Sequence, residues 1–190
     1  MSERLYERQF GQLPALLRSH TNFYGIGRDT HEDAYQRVQF FKDVIEHKGG
    51  HRIFYFDGVA LEREEDLQIL NRLTWYAADS DVTREANDGR GPVDFKVSRG
   101  SKDKTLVEFK LAKNSHLEKN LEHQVEVYKK ASDASRAIKV IVYFTATEKK
   151  RVEQILKRLK FEDDKDIILV DARKDNKPSG SRPGSKRRLS

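Results

Sequence analysis

A chain of 190 residues with 36% hydrophobic and 36% charged side chains has room for one well-buried domain with an appendage, and no apolar run approaches the roughly 18 residues of a membrane span. It has no cysteine, which excludes a disulfide framework and a thiolate zinc site. The net charge of +6 also needs dividing: residues 172–190 carry seven Lys/Arg against Asp175, and residues 1–171 hold 30 basic against 30 acidic side chains. The body therefore has no overall positive field, and any grip on nucleic acid must come from a local basic patch.

In chain order, residues 31–47 place Ala34, Val38, Phe41 and Ile45 at helical spacing, with Thr30 positioned to cap the start and Gly49-Gly50 to end it. His51 to Phe56 is rich in aromatic residues, and Asp57-Gly58 follows as a turn signal, so a strand entering a hairpin is expected. Residues 64–77 form a second helix with Leu67, Leu70, Leu73 and Ala77 along one face. A short strand at 82–85 leads to the glycine-containing turn 87–91.

From Pro92 to Ser98 the chain alternates, with Val93, Phe95 and Val97 on one face and Asp94 and Lys96 on the other. Residues 99–104 read as a polar hairpin loop, and 105–111 as the partner strand, with Leu106 and Phe109 in the core. A third helix spans 115–131, with Leu117, Leu121, Val125 and Tyr128 nearly in line. The almost continuously apolar stretch 138–144 reads as a buried strand, followed by a helix at 148–159 and a strand at 167–170. Beyond Arg173 the composition is Gly, Ser, Pro, Lys and Arg, which predicts disorder. The expected fold class is α/β, a central mixed sheet flanked by helices.

Strand phase gathers chemistry at one place. Glu108 and Lys110 are two apart and share a face. If the two strands pair as a hairpin, Asp94 converges with them at the sheet edge. Asp94 and Glu108 supply hard oxygen ligands and the Phe109 carbonyl a third, a set suited to Mg²⁺ or Mn²⁺. Lys110 can orient or deprotonate an attacking water, or stabilise charge growing on a phosphate. A surface strand pair with cross-strand Glu–Lys neighbours is the bland alternative.

Gln124 and Tyr128 follow four apart on the third helix. Asp94, Glu108-x-Lys110 and Gln124-Val-Glu-Val-Tyr128 together resemble the PD-(D/E)xK nuclease superfamily, and Gln-x-x-x-Tyr resembles its RecB-like exonuclease branch. Glu85-Ala-Asn-Asp-Gly-Arg-Gly-Pro-Val-Asp94 resembles a Glu…Gly-Arg-x-Asp signature of related members. The match covers about residues 62–145. It implies a restriction-endonuclease-like core, Asp94 and Glu108 as metal ligands, Lys110 as the catalytic lysine, and Gln124 and Tyr128 as supporting residues. Glu85 is a candidate third carboxylate. Members often add an acid from the helix before the sheet, where Glu64 and Glu65 both qualify. The chain lacks the cysteines of iron–sulfur-bearing relatives and any Walker or helicase segment.

The expected division is a helical and hairpin extension at 1–60, a nuclease-like core at 61–171 and a disordered basic tail at 172–190. Lys96, Arg99, Lys102, Lys104, Lys113 and Lys119 cluster around the site in sequence. Of these, Lys96, Arg99, Lys102 and Lys113 are taken as the phosphate-binding patch, in preference to the tail. His31-Glu32-Asp33 is read as an ordinary acidic helix start rather than a metal cluster. The expected activity is metal-dependent hydrolysis of phosphodiester bonds in DNA, with RNA left open, in defence, repair or recombination. The alternative is a catalytically silent nucleic-acid-binding or scaffold domain of a larger assembly. With no secretory signal or membrane span, a cytoplasmic setting is expected, and double-strand cleavage would call for a homodimer or a partner subunit.

Overall fold

The computed structural model of the protein describes residues 29–75, 80–87, 92–100, 103–122 and 136–177. Helix α1 (Thr30–His47) opens at Asp29, whose side chain accepts the Glu32 amide. Asp29, and not Thr30, is therefore the N-cap. Thr30 turns inward instead: its hydroxyl bonds Asp103 Oδ1 at 2.6 Å and Thr105 Oγ1 at 2.8 Å. The buried stripe Thr30, Ala34, Val38, Phe41, Ile45 follows the helical period. Gly49, at φ 78, ends the helix in the left-handed conformation that glycine adopts without a Cβ clash.

The aromatic run that reads as a strand is mostly something else. Gly50–Phe54 is a 3-10 helix, and the strand is reduced to β1 (Tyr55–Phe56) paired with β2 (Val59–Ala60). Phe54 is drawn into the core against Phe41 and Phe144, and this packing outweighs local β-propensity. Asp57 and Gly58, both at positive φ, form the two-residue hairpin turn that the sequence signals.

Helix α2 (Glu64–Leu73) is shorter than expected and buries only part of the expected face: Leu67 is in the core and Leu70 packs partly buried against it, while Ala77 lies outside the described residues. Leu67, Gln68 and Asn71 point inward, whereas Leu73 is 72% exposed. Strands β3 (Asp81–Asn87), β4 (Pro92–Arg99), β5 (Asp103–Leu111), β6 (Arg136–Tyr143) and β7 (Ile167–Asp171) form one five-stranded sheet in chain order. The pairs β3–β4 and β4–β5 are antiparallel, and β5–β6 and β6–β7 are parallel. Between β5 and β6, residues 117–122 are helical. Helix α3 (Ala146–Leu159) connects β6 to β7 and is capped by Thr145, which accepts the Glu148 amide.

Alternation along the strands sends side chains into two cores. On one face Phe95, Val97, Val107, Phe109, Val140 and Val142 pack with α1 and with Leu67 of α2. On the other, Ile141 and Tyr143 pack with Leu117, Leu121 and α3. The protein is thus an α/β domain with a mixed sheet flanked by helices. A boundary at residue 60 would cut through its larger core, because Ala34, Val38, Phe41 and Ile45 belong to it. The start of the basic tail is also engaged: Arg173 bonds Asp171, and Lys174 donates to the Gly58 carbonyl at 2.9 Å. Residues 178–190 and 1–28 lie outside the described set. Among the described residues no helix is long and apolar enough to cross a membrane.

Candidate active site

The pairing of β4 with β5 stops short of the end of both strands. The last pair at this end is Phe95↔Val107, although β4 remains paired with β3 as far as Asn87↔Pro92, and β5 with β6 as far as Leu111↔Val142. The β3–β4 hairpin therefore separates from β5 at Asp94. Beyond that point the β4-facing amides of β5 need other acceptors. They find two carboxylates: Asp94 Oδ2 accepts Phe109 N–H at 2.5 Å, and Glu64 Oε1 accepts Leu111 N–H at 3.1 Å.

Both carboxylates are held a second time. Gln68 Nε2 donates to Asp94 Oδ1 at 2.7 Å, and Asn114 Nδ2 donates to Glu64 Oε1 at 2.9 Å. Glu64 and Gln68 are one helical turn apart, so the first turns of α2 present both to the gap between the strands. Glu64 Oε2 lies 3.5 Å from Lys110 Nζ. Of the two acids left open by sequence, Glu64 is the one beside Lys110, and Glu65 pairs with Arg63 at the surface.

Glu108 and Lys110 share the face of β5 opposite Phe109, and both are half-buried. Continuing the β4–β5 register past Phe95↔Val107 places Asp94 level with Glu108, on the same face. Burial pushes the Asp94 carboxyl up to about 6, against the opposing pull of the Phe109 amide and Lys110. Burial works against the charge of Lys110 too, but Glu108, Glu64 and Asp94 outweigh it and raise its pKa above the ordinary lysine value. Asp94, Glu108, Lys110 and Glu64 therefore act on one another as a single cluster.

Other expected residues fall in different places. Lys96 is two residues from Asp94 and on its face of β4. Lys113, exposed just past β5, donates to the Leu61 carbonyl at 3.3 Å. It lines an open depression of about 490 Å³ with Glu64, Gln68, Leu111 and Asn114. Arg99 is not brought to the site: it lies five residues from Asp94 along β4, about 17 Å away, in the phase of Phe95 and Val97, where it donates to Ser80 Oγ. Glu85 lies on β3, with its side chain outside the described set, as are Lys102, Gln124 and Tyr128. His31 bonds Asp166 at 2.7 Å, away from this cluster, and Glu32 and Asp33 fall in the first turn of α1.

Gln68 was invisible to sequence reasoning, since a glutamine in an amphipathic helix carries no signal of its own. Its spacing of four from Glu64 is the one clue. Its Oε1 is buried with no hydrogen-bond partner among the described residues, beside a carboxylate whose charge burial disfavours.

Among the described residues no group of three or more His, Asp or Glu is placed to hold a metal ion together. Mg²⁺ asks for less, one or two carboxylates with the remaining positions taken by water. Asp94 and Glu108 meet that requirement in kind: hard oxygen donors, one of them held in place by two hydrogen bonds. A cation would also relieve the cost of the buried Asp94 charge.

The family model described as "Domain of unknown function (DUF8371)" matches residues 30–146, which take in α1, α2, β3 to β6 and every member of the Asp94 cluster. No curated protein and no solved structure gives a significant match.

Proposed function

Because the chain belongs to DUF8371, whose description assigns no activity, its function has to be argued from the site, and we propose that it is a metal-dependent nuclease hydrolysing phosphodiester bonds in DNA. One observation carries this reading. Where β4 leaves β5, the sheet gathers Asp94, Glu108, Lys110 and Glu64, with two of the acids locked by backbone amides.

In this reading Asp94 and Glu108 hold Mg²⁺ or Mn²⁺, with the Phe109 carbonyl as a further oxygen. The bound ion supplies Lewis acidity toward the phosphate and a lowered pKa for a coordinated water. Lys110 contributes an ammonium that the three acids keep charged, placed to orient the attacking water and to offset negative charge on the phosphate in the transition state. Gln68 fixes the orientation of Asp94, and Glu64 that of Lys110. Lys96, on the Asp94 face of β4, and Lys113, in the depression lined by Glu64 and Gln68, are assigned to the flanking phosphates. The order helix, three antiparallel strands, helix, parallel strand accords with a restriction-endonuclease-like core. Gln124 and Tyr128 keep the supporting roles that the resemblance implies. We place the protein in the cytoplasm, acting as a homodimer or with a partner subunit where both strands are cut.

The test incubates the purified protein with supercoiled plasmid, linear duplex and single-stranded DNA, each with Mg²⁺, Mn²⁺ or EDTA. Metal-dependent cleavage of at least one substrate, abolished by EDTA, is expected. Binding without cleavage under all conditions would instead support a silent nucleic-acid-binding domain.

A further inference from the structure

A parallel strand covered on both faces is normally apolar throughout. In β6, Ile138, Val140, Ile141 and Val142 obey that rule and Lys139 breaks it. Lys139 is 8% exposed, and among the described residues it is the one lysine or arginine in the buried class. No hydrogen bond or ion pair to a described residue holds its ammonium. An isoleucine there would cost nothing to bury, whereas a lysine must desolvate its charge. Burial pushes Lys139 down to about 8, and the charges that act on it are Glu108 and Asp164, which favour its protonated form, and Lys110, which opposes it.

The parallel register gives the reason for its position. Glu108 on β5 is directly level with Lys139 on β6, and Lys110 is level with Ile141. Level residues of neighbouring strands project to the same face, so Asp94, Glu108 and Lys139 form a row across β4, β5 and β6. Glu108 is the middle member, with Lys110 beside it along its own strand.

Building on the nuclease reading, we infer that Lys139 is a positioning residue of the site, a second ammonium that balances Glu108 from the β6 side and so makes the metal-loaded cluster attractive to a phosphodiester. Glu64, Asp94 and Glu108 all act on Lys110, and Lys139 adds a second ammonium beside the middle acid. With a divalent ion bound, that ammonium leaves the place where phosphate docks one unit more positive than it would be without it. Lys139 thus trades metal affinity for substrate affinity.

That trade has a signature that a purely structural lysine would not produce. In Lys139→Met, a nearly isosteric change that removes the buried charge, the metal-free protein should melt at a higher temperature. Calorimetric titration should show Mn²⁺ binding tightened by about tenfold, and affinity for a short duplex in Ca²⁺ weakened by about the same factor, from the loss of one unit charge at close range. Cleavage should show a raised KM with a smaller change in kcat, and Lys139→Arg should restore duplex affinity. A methionine variant that melts higher but binds Mn²⁺ and duplex as wild type does would overturn the inference while leaving the nuclease reading intact. A wild-type protein that binds neither Mn²⁺ nor DNA would overturn both.

Discussion

Asp94 accepts the backbone amide hydrogen of Phe109 across the gap where β4 leaves β5. A side-chain oxygen thereby takes the place of the next rung of the ladder. The exchange joins two demands at one residue: the strand edge needs an acceptor, and the site needs a carboxylate held still. Glu64 repeats the arrangement at Leu111, two residues on. The Phe109 and Leu111 amides of β5 are both satisfied where the strands part, and the acids that satisfy them are the ones placed beside Lys110.

The same burial that orients Asp94 makes its charge costly, with a sign that can be tested. Its folded-state pKa is about 6 against an ordinary 3.8, so its contribution to stability is fully present below about pH 4 and is lost as pH rises through 6. The shift corresponds to about 3 kcal/mol. In EDTA, Asp94→Asn should therefore be more stable than wild type at pH 7.5 by up to about that amount, and the gap should close toward pH 4. Urea midpoints at the two pH values check this; parallel pH profiles for the two proteins would show that the Asp94 charge is not buried.

Glu64 and Glu65 are neighbours with opposite expectations. Glu64→Ala leaves the Leu111 amide and Asn114 without their acceptor and should cost about 1–3 kcal/mol, together with a loss of cleavage as Lys110 loses its partner. Glu65→Ala removes a surface pair with Arg63, worth well under about 1 kcal/mol. Denaturant unfolding of the two variants, run beside a cleavage assay, separates them. Equal effects would mean that Glu64 is another surface acid.

Gln68→Met should dissociate function from stability. It removes the Nε2 hydrogen bond to Asp94 but also the buried Oε1, which has no partner among the described residues, so the net change in stability should stay within about 1 kcal/mol. Cleavage should fall by roughly tenfold or more as Asp94 loses its orientation. Thermal melts and initial rates measure the two effects, and an unchanged rate would remove Gln68 from the site.

Phe109 ties the site to the core. It is fully buried, with edge-to-face contacts to Phe41 at 5.6 Å and Phe95 at 6.1 Å. Phe109→Ala should cost about 3–5 kcal/mol. Phe109→Leu, which keeps most of the volume, should cost much less and preserve the amide that Asp94 grips. A similar loss from both, read from denaturant midpoints, would contradict the packing account.

Period-two alternation makes Asp94, Glu108 and Lys110 legible in the sequence, because it puts the acid and base on one face of paired strands whatever else surrounds them. The apolar stripe of α1 and the Asp57-Gly58 turn are legible for similarly local reasons. What escapes is set by distant parts of the chain. The run at 51–56 has the composition of a strand, but Phe54 has partners in α1 and after β6 that pull it into a 3-10 turn. Lys139 looks like one more lysine in a charged protein until β6 lies beside β5 and sets it level with Glu108. A boundary near residue 60 is natural from composition, yet α1 supplies one wall of the core on which β4 and β5 rest.

The most direct test of the account is the Mg²⁺-dependent cleavage rate of one supercoiled plasmid by wild type and Lys110→Ala, with Mn²⁺ affinity measured on the same preparations. The account predicts that EDTA abolishes wild-type cleavage, that the variant is slower by about 10²-fold or more, and that it still binds the metal through Asp94 and Glu108. Equal rates for the two proteins, or wild-type cleavage that persists in EDTA, would contradict it.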